Sequence, residues 1–200
     1  MASKVAIYNL GVTHLGSTAL IADVSENSTE ARLMNLVFDT CLDAVLRDFN
    51  WPFARVTKAL QLIAEDPNIN WKYAYRYPVD CLKFQKILSG IRNDFRETRV
   101  PTEIGNDSTG PLIYSDMSEA TGVYTKRVTN TQHFPPDFTM ALSFRIAMYI
   151  APALTAGDPF KMGDRAARMY QAEIAKASAQ ALNEEQPDVP VESELIRARE

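Results

Sequence analysis

Histidine and cysteine are scarce in this 200-residue chain, with two of each. His14 and His133 have no second ligand-type residue at metal spacing, and a zinc site needs several convergent ligands. No metal and no cofactor are therefore expected. Cys41 and Cys81 each fall in a segment that reads as buried, and free cysteine is among the most buried residue types. Two reduced core thiols are expected, and a disulfide framework is excluded. Long apolar runs are missing too. The stretch from Ala147 to Ala153 is interrupted by Pro152 and is far too short to span a bilayer, so no membrane association is expected. The chain starts Met1-Ala2-Ser3-Lys4 and turns polar by Asn9, so no signal peptide is expected. There is no glycine-rich phosphate loop, dinucleotide fingerprint or nucleophile elbow.

Excess positive charge is also lacking. The net charge is −4, and the six acids and two arginines between Glu184 and Glu200 account for all of it. Residues 1–183 are thus neutral as a set. Bulk electrostatic attraction for DNA normally leaves a basic patch or a high pI, which disfavours a DNA-grasping function. What remains is an ordinary globular composition, 46% hydrophobic and 23% charged.

Helical signals open and close the chain. Val5–Leu10 reads as a short helix stopped by Gly11. Asn27 with Glu30 three residues on resembles a capping box. Leu33, Leu36, Val37, Cys41 and Ala44 then follow helical spacing, and Met34, Phe38, Leu42 and Val45 make a second apolar face. This helix should be covered on much of its circumference and end near Asp48, ahead of Trp51-Pro52. Arg55–Leu62 suits either helix or strand. Asp66-Pro67-Asn68 reads as a turn, and Trp71–Tyr77 as extended chain. The segments Leu82–Leu88, Leu112–Tyr114 and Val123–Val128 have strand composition, with turn residues from Gly105 to Pro111. Helix resumes at Pro136, is ended or kinked by Pro152, and restarts after an Asp158-Pro159 cap to run to about Leu182.

The fold class expected is mainly α: a bundle of about four helices interrupted by a small antiparallel β region. Residues 1–185 form one domain, with a helical core at 1–65 and 135–185 and a β insertion at about 71–130. Residues 186–200, with Pro187, Pro190 and many acids, form a flexible tail.

Catalytic groups are sparse. Asp39 and Asp43 lie one helical turn apart, and Glu26 and Glu30 are nearby. An accessory cell-wall hydrolase would have to draw its acid and base from these four. Like charges on a solvated helix face are the plainer reading, because acid–base work needs a pocket and opposed pKa shifts. The aromatic set Trp51, Phe53, Trp71, Tyr73, Tyr75 and Tyr77 suits core or interface packing better than base stacking, since only Lys72 and Arg76 accompany it.

Three segments carry a likeness to a known family. They are Leu46-Arg47-Asp48-Phe49-Asn50-Trp51-Pro52-Phe53-Ala54, preceded by Leu15-Gly16 and an Ala31-containing helix; Tyr73 through Pro78-Val79-Asp80-Cys81-Leu82; and Tyr124–Thr129 running through Phe134-Pro135-Pro136-Asp137-Phe138 into Ala141-Leu142. In this order and spacing, over residues 5–182, the chain resembles the tail tubular protein A and head-completion adaptors of short-tailed phages. The resemblance implies a structural protein of the virion and not an enzyme. It would be a subunit of a dodecameric ring, assembled in the host cytoplasm, that joins portal protein to tail nozzle and lets double-stranded DNA pass through its lumen without sequence-specific binding. It also implies that the C-terminal segment grips the portal, for which Val191, Leu195, Ile196, Arg197 and Arg199 are the candidate docking residues.

Overall fold

The computed structural model describes residues 3–91, 99–158 and 160–184. Helix α1 spans Lys4–His14 and α2 spans Thr29–Asp48. Strands follow at Arg55–Ala59 (β1), Leu62–Asn68 (β2), Trp71–Arg76 (β3), Cys81–Ile87 (β4), Glu103–Asp107 (β5), Gly110–Ser115 (β6) and Thr121–Lys126 (β7). Helices α3 (Pro136–Leu154) and α4 (Met162–Glu184) complete the described residues.

Sequence periodicity explains the helical layer. Helix α3 is apolar nearly all round, burying Phe138, Ala141, Leu142, Phe144, Ile146, Ala147, Ile150 and Ala151. A helix of that kind must be surrounded, and α1, α2 and α4 all pack against it. Gly11 permits the closest approach. A Cβ there would meet Met34 Cε at 3.3 Å and Ile146 Cγ2 at 3.4 Å. Gly11 is therefore inside α1 and not its stop. The helix runs on to His14 and is capped at Leu15, with Gly16 in the left-handed region at φ +74°.

Helix α2 ends at Asp48 as its spacing predicts, but starts one residue later than the Asn27 cap implies. Ser28 is the cap, its hydroxyl accepting from the Ala31 amide at 3.2 Å. Side chains satisfy carbonyls of the last turn. The Trp51 indole N–H donates to the Val45 carbonyl at 2.8 Å, and Lys83 Nζ donates to that of Arg47 at 3.0 Å. The face carrying Met34, Phe38, Leu42 and Val45 is the buried one, whereas Leu36 stands 76% exposed. Of the other stripe Cys41 is buried and Leu33 and Val37 pack partly buried against the core, so the helix is covered on much of its circumference and Leu36 is left out. Pro152 falls inside α3, which runs on two residues to Leu154.

The chain is a mixed α/β fold, which corrects the mainly α expectation. Among the described residues seven strands form two antiparallel sheets, ordered β1-β7-β4 and β2-β3-β6-β5. β structure begins at Arg55, well before residue 71. Successive segments alternate between the sheets, so the chain crosses between them after β1, β3, β4 and β6. Backbone bonds stitch the crossings, among them Leu60 N–H to Ala120 O at 2.8 Å and Arg76 N–H to Gln61 O at 2.9 Å. A second, smaller core forms between the sheets from Leu60, Tyr75, Ile87, Ile113 and Ala120.

Two hairpins differ from their sequence reading for one reason. Asp66-Pro67 is not the turn: it lies within β2 at a register irregularity, with Asp66 at φ +47°. Proline is tolerated because β2 is an edge strand. The reversal comes at Ile69-Asn70, where Asn68 Oδ1 accepts from the amides of Asn70 and Trp71, both at 3.0 Å. Likewise Gly105-Asn106-Asp107 is strand, and Asp107 Oδ1 accepts from the Thr109 and Gly110 amides at 2.8 Å. An Asx side chain closes each turn locally, so the reversal sits just beyond the residue that composition singles out.

Candidate functional site

The helical layer brings one histidine against a hydroxyl. His14 Nε2 lies 2.9 Å from Ser143 Oγ, and its ring stacks on Phe144 at 3.9 Å. The proton directions decide what this pair can do. Ser143 donates to the Met140 carbonyl at 2.7 Å, so its oxygen accepts from His14 Nε2–H. The imidazole cannot then take the serine proton, as a general base must. Ser143 is also fully buried. The pair is a tie between α1 and α3.

Burial, aided by the Arg165 charge, pushes His14 below its ordinary pKa of 6.5. The unfolded chain therefore binds a proton more readily than the folded one. Stability from this group is full above pH 6.5 and is lost as pH falls through the lower folded value. The melting temperature is expected to drop on acidification from pH 7.5 to 5.5, and His14→Gln should flatten that drop. An unchanged pH slope in the variant would remove His14 as its source.

The four carboxylates do not gather into an acid–base pair. Arg127, just beyond β7, bridges two of them: its Nε donates to Asp43 Oδ1 at 2.6 Å and its Nη2 to Asp39 Oδ1 at 3.3 Å. They tie α2 to the sheet. Glu26 accepts from the Ala22 amide at 2.9 Å and closes the loop before α2, while Glu30 stands in the first turn of α2. His133 is exposed in a short 3₁₀ turn. No cluster of three or more metal-ligand residues occurs among the described residues, and no helix there is long and apolar enough to cross a membrane.

A cleft of about 540 Å³ opens where the chain crosses between the sheets, lined in part by Leu60, Arg76, Tyr77, Asp80, Cys81 and Arg127. Its polar groups are engaged. Arg76 makes a bidentate pair with Asp107, both bonds at 3.0 Å. Asp80 accepts from Tyr124 Oη at 3.1 Å, and Tyr77 Oη accepts from the Phe84 amide at 3.2 Å. Burial raises the Tyr77 phenol to about 12 and pushes the Cys81 thiol up. A thiol held protonated at neutral pH is a poor nucleophile. Cys81 is half-buried at the cleft and not in the core, whereas Cys41 lies in the helical core with its thiol raised to about 11 by burial.

The aromatic set divides. Trp51 and Phe53 join Phe134 and Phe138 in the helical core, whereas Tyr75 anchors the β core and donates to the Met117 carbonyl at 2.6 Å. Trp71 donates from its indole to Glu103 at 2.6 Å across the outer end of the four-stranded sheet.

Aliphatic side chains stand exposed on that sheet beside charged ones such as Glu65, Asp66 and Glu103. Leu62 and Ile63 of β2, Ile69 at the β2–β3 turn and Ile104 of β5 are 45%, 42%, 104% and 57% exposed. β2 and β5 are both edge strands. Sequence reasoning missed this surface because Arg55–Leu62 fits two periodicities and Asp66-Pro67-Asn68 reads as a turn. One signal was available: Ile69 stands between two asparagines, where a tight turn forces an apolar side chain outward. The portal-docking candidates Val191, Leu195, Ile196, Arg197 and Arg199 lie outside the described residues, as does Pro159.

No family model matches the chain, and no curated protein matches it.

Proposed function

We propose that this chain is a structural adaptor of a tailed phage, a subunit that joins copies of itself into a dodecameric ring between portal and tail. The ring continues the DNA channel, and the C-terminal segment, through Val191, Leu195, Ile196, Arg197 and Arg199, reaches the portal. The observation that supports this reading best is the exposed Leu62, Ile63 and Ile69 along the β2 edge of the four-stranded sheet. Open strand edges bearing large aliphatic side chains invite a neighbour, and a chain left single would carry them as an aggregation hazard. A head-to-tail ring covers such an edge once per subunit without self-complementarity.

The test is negative-stain microscopy of the chain mixed with the portal protein of its phage, beside each component alone. A twelve-fold ring of added density on the portal's tail-side face is expected. Replacing Ile63 and Ile69 by Asp should abolish the ring while leaving the circular dichroism spectrum intact. Absence of association across a range of salt would end the adaptor reading. A ring that survives both substitutions would end the assignment of the sheet edge.

A further inference from the structure

The outer end of α4 forms one wall of a groove of about 220 Å³. Ala177 and Ala181 line it from the helix, and Phe49, Trp51, Phe53 and Pro135 line it opposite. The rings are fixed before anything binds. Trp51 packs edge-on to Phe49 at 5.1 Å, and Phe53 packs on Phe138 at 5.0 Å. Two alanines one helical turn apart let a ligand lie close to the helix backbone. A pre-ordered groove of aromatic rings and proline, with Asp137 and Gln180 as its polar lining, is the kind of surface that takes a polyproline II segment. Such a segment is already extended, so docking it costs little conformational entropy.

The sequence supplies Pro187-Asp188-Val189-Pro190, beginning three residues beyond the end of α4 at Glu184. In a polyproline II helix, with three residues per turn, Pro187 and Pro190 would share one edge and Asp188 another. The reach fits. Ala181 and Ala177 lie about 4.5 and 10 Å back along the α4 axis from Glu184. Pro187 and Pro190 can extend about 10 and 20 Å from the same point. A tether this short sets an effective concentration near the millimolar range, which favours the chain's own motif over that of a second copy.

We propose that residues 187–190 dock as a polyproline II turn in the groove of the same chain, fixing the direction in which the remaining C-terminal residues leave the helical layer. This goes beyond the adaptor reading and stands without it.

The test uses the full chain in solution by NMR. Contacts are expected between the methyl protons of Val189 and the ring protons of Phe49 and Phe53. In a mixture of isotope-labelled and unlabelled chains they should stay within one molecule. Pro187→Ala with Pro190→Ala should erase them and shift the amides of Gln180 and Ala181, with the rest of the spectrum unmoved. An otherwise unmoved spectrum separates this result from loss of fold. Ala181→Arg, filling the groove from the helix side, should erase the same contacts. Their absence in the unmodified chain, or their appearance only between different molecules, would overturn the proposal.

Discussion

Phe138→Ala is expected to remove about 3–5 kcal/mol of folding stability, the range for truncating a fully buried phenylalanine. Phe138 is fully buried in the first turn of α3. Its ring meets Phe134 at 4.7 Å, Trp51 at 5.0 Å and Phe53 at 5.0 Å, each edge-on. Collapse into the vacated space is hindered, because each neighbour is held elsewhere. The Trp51 indole is bonded to the Val45 carbonyl. Phe53 sits in the short turn after Pro52, and Phe134 directly precedes Pro135. A domain of ordinary stability has about 5–15 kcal/mol in total, so one substitution should consume much of it. Urea unfolding checks this directly. A loss below about 1 kcal/mol would mean that the cluster repacks freely, contrary to these restraints. Phe138→Leu, which keeps most of the volume, should fall between the two.

Gly122→Val is expected to strike the β region in the same way. Gly122 lies in the central strand β7, in register with Lys58 of β1 and Ile87 of β4. A Cβ at this position would approach Leu60 Cδ2 and Phe84 Cε2 at 2.9 Å each. The branched side chain adds two further carbons where the first already collides. Overpacking of this kind costs about 1–3 kcal/mol. The damage should be local, because Leu60 belongs to the small core between the sheets and Phe84 packs against it. Amide exchange should accelerate in β1, β4 and β7 while α3 stays protected. Uniform acceleration across both layers would show that the two cores unfold as one unit. Unchanged exchange everywhere would show that Leu60 and Phe84 give way at no cost. Gly122→Ala should follow the same pattern with a smaller effect.

Much of the helical layer was legible in the sequence because its signals are local. The end of α2 before Pro52, the start of α3 at Pro136 and the apolar circumference of α3 each follow from a few neighbouring residues. Gly11 is the instructive exception. Its composition reads as a stop, but the missing side chain serves the packing of α1 on α3, and only the partner helix reveals that.

The β region was less legible for the complementary reason. Arg55–Leu62 suits helical and extended spacing alike, and for β1 the choice falls to pairing with β7, far along the chain. The Gly105–Asp107 segment has turn residues yet forms an edge strand, because β6 supplies partners for its backbone. Site chemistry divides along the same line. The sequence offered Glu26, Glu30, Asp39 and Asp43 as the acids a hydrolase would draw on and gave His14 no role. The position of Arg127 makes Asp39 and Asp43 structural ties, and Ser143 does the same for His14. The exposed aliphatic side chains of the β2 edge were invisible until the strands had been ordered, since exposure depends on which strand lies outermost. Composition and local spacing determined where helices begin and end, and that the chain's net charge resides in its last residues. Only the tertiary structure decided the strand order, the second core and the uncovered edge, because those depend on contacts between residues remote in sequence, whose pairing no local pattern encodes.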